Sequence, residues 1–218
     1  MIRRRKGAVQ ARREWISGRT RRLARVTDSQ TGMALLTPRA GRIISLLELA
    51  PGKRYVDIGC GTSAFAHLLA QRAGMDEPPL CLDIAPGPGA VDALAWPEHL
   101  PLADGSVDAF TSLYFMRRLD DDAAHGFGGE LARVLAPGGR GIILEIAPVR
   151  SDLLNRAHAK LVSGGCGPVV DLRGWGRMAA LFTEVGFDHI QRIDLGPFLL
   201  PPVPRCGVLL RRAPSVNG

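Results

Sequence analysis

The chain has 218 residues, 46% of them apolar, and a net charge of +7, enough for one domain with a real core and too little for two full ones. No apolar run approaches the roughly eighteen residues of a membrane span, no secretory apolar stretch opens the chain, and Cys60, Cys81, Cys166 and Cys206 form no CxxC pair, so the expectation is a cytoplasmic protein with no bound metal and no transmembrane segment. The charge is uneven: residues 1–25 carry ten Arg or Lys against Glu14 alone, and the rest holds 18 basic and 20 acidic residues, so the basicity belongs to an N-terminal arm, residues 1–30, ahead of a single domain over 31–218.

Within the domain, TPRAGRIISLLELAPG reads as a short helix with Ile43, Ile44, Leu46 and Leu47 on one side and Pro51-Gly52 ending it. YVDIGC is a strand, AFAHLLAQRAG a helix closed by Gly74, and LCLDI a second buried strand, which together make a parallel strand-helix-strand unit. VDAFTSLYF and GIILEIA are two further strands; between them the second half of DDDAAHGFGGELARVLAPGG is helical and its PGG is a turn. SDLLNRAHAKLV has the pattern of an amphipathic helix, LRGWGRMAALFTEVGF gives another ending at Gly186, and HIQRIDL and RCGVLLRR read as an antiparallel strand pair. The expected fold is α/β: a doubly wound, Rossmann-like, mainly parallel sheet with an antiparallel C-terminal strand pair.

In such a sheet ligands sit beyond the carboxyl ends of the strands. Gly59 and Gly61 fall at that end of the first strand, where glycine permits positive φ and close approach of a ligand to backbone amides. Asp83 ends the second strand 24 residues after Gly59, the place at which a carboxylate accepts hydrogen bonds from ribose hydroxyls. A glycine turn alone is also a tight connection, and Asp83 alone is also a surface turn residue; the two together point to an adenosine-containing ligand.

The order of APGKRYVDIGCGTS, LDIAP, LPLADGSVDAF, ELARVLAPGGRGIILE and LFTEVGF, from about Leu35 to Arg212, resembles the class I S-adenosylmethionine-dependent methyltransferases, in particular their small ubiquinone/menaquinone-biosynthesis-like branch. The resemblance implies that S-adenosylmethionine is the cofactor. It implies further that Asp57, Gly59 and Gly61 line its methionine part, Asp83 holds the ribose, Ile84 packs on adenine, and Ser112, Leu113 and Tyr114 border the methyl group.

The chain departs from that family in two places. Ser63 stands where GxGxG has its third glycine, and a serine there suits a helix cap. Only six residues separate Ile84 from Val91, where the family carries a helix and a parallel crossover normally needs a dozen or more residues, so the third strand is expected to be short, irregular or absent. The family's adenine-contacting acid aligns with Trp96; Asp92 is a displaced candidate for the contact, and Trp96 is open to stacking on adenine or covering the core.

A methyl sulfonium is already an activated electrophile, so alignment, worth roughly 7–11 kcal/mol, matters more than a general base worth about 10²- to 10⁴-fold. Candidate bases are Glu145, near the end of the fifth strand, His125 and His158, each of which also has an ordinary structural role. Arg117 and Arg118, where many relatives have a histidine pair, suit either an anionic acceptor or a solvated helix start. The favoured reading is methyl transfer, at oxygen or carbon, to a small-molecule acceptor. Rivals are an RNA methyltransferase that binds through residues 1–25, a non-catalytic cofactor-binding module, and, at the level of fold, a nicotinamide dehydrogenase. The arm itself is open to being an RNA contact, a lid over the acceptor, a membrane-surface contact or a solvated helix.

Overall fold

The computed structural model describes residues 36–85, 91–166, 169–195 and 204–214. The basic arm, read over residues 1–25 and bounded at 30, lies outside the described residues. A 3₁₀ turn (Thr37–Arg39) leads into α1 (Ala40–Leu47), whose Ala40, Ile43 and Leu47 are buried. Glu48, at φ 53°, closes this helix before Pro51 is reached. β1 (Tyr55–Ile58), α2 (Ala64–Ala73) and β2 (Leu80–Asp83) follow. Gly74, at φ 65°, caps α2 with its N–H on the carbonyls of Ala70 and Gln71, a conformation glycine adopts without strain.

β3 (Ala93–Leu94) is two residues long and pairs parallel to β2, so the shortened connection leaves a vestigial third strand. β4 (Val107–Leu113) precedes α3 (Asp121–Val134), β5 (Leu135–Ile146), α4 (Asp152–Cys166), α5 (Trp175–Glu184), β6 (His189–Ile193) and β7 (Arg205–Arg211). The sheet order is β3-β2-β1-β4-β5-β7-β6, parallel except for β7, which runs antiparallel to both β5 and β6.

Two elements differ from the sequence reading. α3 starts at Asp121, not midway: the Asp120 carboxylate accepts the Ala123 N–H at 2.9 Å and caps the first turn. A methyl group on Gly128 would stand 2.9 Å from Leu181 of α5, so that glycine lets the two helices approach. The PGG stretch is a bulge inside β5, where the pairing jumps from Val107–Leu135 to Ala109–Arg140 and Gly138 takes φ 76°.

Each face of the sheet carries its own core. α3 and α5 bury Phe127, Leu131, Met178 and Phe182 against Val56, Phe110 and Ile143. α1 and α2 bury Ile43, Leu47, Phe65 and Leu69 against Tyr55, Ala109, Ile142 and Leu209 on the other face. Gly141 pairs with Phe110, and a Cβ there would lie 2.0 Å from the Phe110 ring. Gly141→Ala is therefore expected to lower unfolding free energy in chemical denaturation by roughly 1–3 kcal/mol, the usual cost of overpacking; unchanged stability would contradict this register.

Candidate active site

The strand order reverses between β1 and β4, and the chain leaves both strands at the same edge of the sheet. Gly59 takes φ 77°, and its N–H and that of Cys60 donate to the Leu82 carbonyl at 2.8 and 3.1 Å. The side chain missing at Gly59 is where Phe115, just past β4, packs: a Cβ would stand 2.6 Å from its ring. The glycine turn and the turn after β4 are thus in direct contact, and any larger residue at Gly59 would push them apart.

Gly61 takes φ 55° and donates its N–H to Asp83 Oδ2 at 2.9 Å. Asp83 Oδ1 accepts from Ile84 N–H at 2.7 Å and Ala85 N–H at 3.3 Å. A carboxylate offers about four acceptor positions, and with three taken Asp83 has one left on Oδ2. Asp83 is half-buried at the carboxyl end of β2, and Ile84 beside it is half-buried against the core.

Ser63 does not cap α2. It is buried at φ 58° with its hydroxyl on the Thr62 carbonyl at 2.6 Å, so it occupies the left-handed conformation that a third glycine would take freely. Asp92 is also engaged elsewhere: Oδ2 accepts the Cys81 N–H at 2.7 Å, and its own N–H donates to the Cys81 carbonyl, bracketing β2. Trp96 is 37% exposed and bridges to His99.

Asp57 lies on β1 beside Thr111 of β4. The Thr111 hydroxyl donates to Asp57 Oδ1 at 2.6 Å and sits 2.6 Å from the Tyr55 hydroxyl, so the Tyr55 proton completes a relay ending on the carboxylate. Burial pushes the Asp57 carboxyl up to about 7, the Thr111 hydrogen bond opposes this, and the charge of Asp83 adds to it. The Cys60 thiol is also pushed up, chiefly by its hydrogen bond with Cys81 and then by burial, so it stays protonated and is no nucleophile.

At the end of β4, Ser112 is fully enclosed in the core and its hydroxyl has no hydrogen-bond partner among the described residues. Leu113 and Tyr114 pack half-buried against the core that also holds Cys60. Tyr114 has φ 59°, a conformation that costs a bulky side chain about 1–3 kcal/mol and persists only where its surroundings impose it. Here they do. Its N–H donates to the Leu144 carbonyl at 2.7 Å, its carbonyl accepts from the Arg117 guanidinium, and its hydroxyl accepts from Arg205 Nε at 2.9 Å.

Glu145 is 1% exposed and ion-paired with the buried Arg117 at 3.2 Å; it also accepts the N–H groups of Arg117 and Ile146, each at 3.0 Å. A carboxylate held by three donors and closed to solvent positions the turn and is not set up to take a proton from a substrate. Arg117, read as an anion contact or a solvated residue, is instead the inner half of this pair. His125 is exposed on α3, 3.8 Å from Glu184, and half-buried His158 forms no hydrogen bond with the site residues. Arg118 is half-buried on the same 3₁₀ turn (Met116–Arg118) as Arg117. A separate hollow lined by His189, Gln191, Leu209 and Arg211 lies on the β6/β7 ladder, with β4 and β5 between it and the glycine turn.

Sequence reasoning passed over Tyr55, Thr111 and Arg205. The first was legible, since Tyr55 and Asp57 share a strand face by alternation; Thr111 and Arg205 depend on which strands become neighbours.

Residues 56–143 match the family described as "Methyltransferase domain". The chain is 39% identical to the demethylmenaquinone methyltransferase of Thermus thermophilus over 47% of this chain and 50% of that one. It is 30% identical to the methyltransferase GfsG of Streptomyces halstedii over 71% of this chain and 62% of that one. Residues 56–143 are thus similar to a methyltransferase domain, and the chain is similar to methyltransferases over part of its length. It spans about half to three fifths of the length of these two relatives. The fold agrees: a SAM-dependent methyltransferase from Aquifex aeolicus superposes with a TM-score of 0.62 at 14% identity, over 86% of this chain and 96% of that one. No helix among the described residues is long and apolar enough to cross a membrane.

S-adenosylmethionine is the cofactor that similarity to a methyltransferase domain implies, and the residues present fit it. The bare turn at Gly59 and Gly61 gives its backbone room, and Asp83 keeps an acceptor position for a sugar hydroxyl, the second hydroxyl requiring a loop amide to yield. Asp57 would face a cation with a carboxyl poised to ionise.

Because the folded state raises the Asp57 pKa, it holds a proton that the unfolded chain releases above about pH 4. The carboxyl therefore costs stability progressively from about pH 4 to pH 7, and by a constant amount above that. Asp57→Asn removes this dependence. Relative to wild type, its melting temperature is expected to be higher at pH 8 than at pH 5; an equal difference at both values would refute the raised pKa.

Proposed function

We propose that this protein transfers the methyl group of S-adenosylmethionine to a small-molecule acceptor at oxygen or carbon. The observation that carries the reading is the joint between Gly59–Gly61 and Asp83 at the point where the strand order reverses, touching the turn after β4. It combines backbone amides, an unblocked turn and a sugar-binding carboxylate in one crevice, which is where open α/β sheets bind nucleosides. Bound there, the cofactor supplies a methyl group already activated toward displacement.

The protein's task is then to orient and to exclude water. Asp83 and Ile84 would hold the nucleoside end, Asp57 and the glycine turn the amino-acid end, and Leu113 and Tyr114 the wall beside the methyl group. Fixed alignment of this kind accounts for most of the expected acceleration, so a site without a free general base is adequate to the chemistry. The Thermus relative is named for demethylmenaquinone, and an apolar ring of that kind is the acceptor class we favour. Val170 supports it: its N–H is tied to the Arg117 carbonyl at 2.8 Å while its side chain is 55% exposed, giving apolar surface beside the turn after β4.

Thermal-shift titration tests the reading. S-adenosylmethionine and S-adenosylhomocysteine are expected to stabilise the protein, by about 2.7 kcal/mol at a hundredfold excess over Kd, and NAD is not. Stabilisation by NAD alone would replace this cofactor with a nicotinamide. Asp83→Ala is expected to stay folded and to weaken S-adenosylhomocysteine about 10- to 100-fold, the range for hydrogen bonds to a charged group; unchanged affinity would remove Asp83 from the sugar site.

A further inference from the structure

β7 alternates, so Leu209 and Arg211 face the layer of α1 and α2 while Leu210 faces the other way. Leu209 is fully buried opposite Ile142 of β5. Two residues on, the same face turns basic: Arg211 lies directly across from Arg140 of β5 and from His189 of β6, which sets two guanidinium groups and an imidazole in one row over adjacent strands. Like charges placed opposite each other repel, so such a row calls for anions. Among the described residues a single carboxylate is paired into it. Glu48, just past α1, is ion-paired with Arg140, whose guanidinium also donates to the Leu46 carbonyl at 3.3 Å. Asp188, ahead of β6, accepts the Ala213 N–H at 2.7 Å. Half-buried Arg211 has no acceptor among the described residues, and its Nε is closed to solvent. Beside it the sheet is hollowed, a space of about 210 Å³ lined by His189, Ile190, Gln191, Leu209 and Arg211. That is smaller than the roughly 300–1,000 Å³ of pockets for drug-sized ligands.

We propose that this hollow binds a small phosphate-bearing anion on the Arg211 guanidinium, at a site separate from the cofactor crevice and independent of it. The guanidinium fork matches two oxygens of a phosphate group. The His189 imidazole and the Gln191 amide, both exposed on the neighbouring strand, add donors for a third. A planar carboxylate has only two oxygens, which the fork alone would occupy, so the three groups together select a tetrahedral anion. The volume admits phosphate or a short ester and is too small for a nucleotide. Leu209 gives the hollow an apolar floor, which favours an ester with a small apolar group over the free ion.

The test is calorimetric titration of phenyl phosphate and of inorganic phosphate into the full chain at fixed ionic strength, with benzoate as the planar control. The basic residues 1–25 also attract phosphate, so the variants carry the decision. Wild type is expected to bind phenyl phosphate more tightly than inorganic phosphate, and benzoate roughly 10-fold more weakly than phenyl phosphate, the loss of one hydrogen bond. Arg211→Met keeps the length of the side chain and removes its charge, and is expected to bind phenyl phosphate about 10- to 100-fold more weakly. Gln191→Glu places a carboxylate in the hollow at an exposed position and is expected to weaken binding as much; it decides the question if Arg211→Met proves misfolded. Inorganic phosphate binding more tightly than the ester, with the same loss in both variants, keeps the site and assigns it to the free ion. Equal affinity of wild type and both variants for both phosphates, tighter binding of benzoate, or no phosphate binding by wild type overturns the proposal.

Discussion

The close approach of the turn after β1 to the turn after β4 organises the described domain. It exists because Gly59 has no side chain where Phe115 packs, and because the two backbone amides of that turn are drawn to the Leu82 carbonyl, extending the β1–β2 pairing beyond the strands. Asp83 closes the third side by accepting the Gly61 N–H. Three strand ends are thereby fixed relative to one another with bare backbone at their meeting point, and that is the crevice in which the proposed nucleoside would lie.

Two buried polar groups flank the crevice, and their physics differs. Asp57 has a hydroxyl for a partner and no positive charge, so burial leaves it close to neutrality near pH 7. Glu145 has a guanidinium and two backbone amides, which compensate its charge where no water reaches. The first group is suited to respond to a cation arriving beside it. The second is suited to hold a strained turn in place, through Arg117 and the Tyr114 carbonyl.

Most of the architecture was legible in the sequence because apolar alternation and helical spacing coincide there with turn residues: Gly74 ends its helix as read, and the antiparallel pair at β6 and β7 is where the last two apolar runs stand. The helix around Gly126 and Gly128 was not fully legible, since propensity counts those glycines as breakers while the Asp120 cap and the contact with Leu181 outweigh it. The Pro-Gly-Gly bulge was hidden for the same kind of reason, because strand pairing continues across it. The glycine turn at Gly59 and Gly61 and the place of Asp83 at the end of the second strand were readable from spacing, whereas the Glu145–Arg117 pair joins residues 28 apart and depends on β5 lying beside β4. No local pattern announces such a pair, and a strand-end glutamate looks the same whether it faces substrate or a buried arginine.

The most direct measurement is a crystal structure of the protein with S-adenosylhomocysteine. The account predicts the nucleoside lying across Gly59 and Gly61, with the Asp83 carboxylate about 3 Å from the ribose hydroxyls and the sulfur directed toward Leu113 and Tyr114. A nucleoside bound elsewhere on the domain, or an Asp83 still bonded only to the Gly61, Ile84 and Ala85 amides with the sugar out of reach, would contradict it.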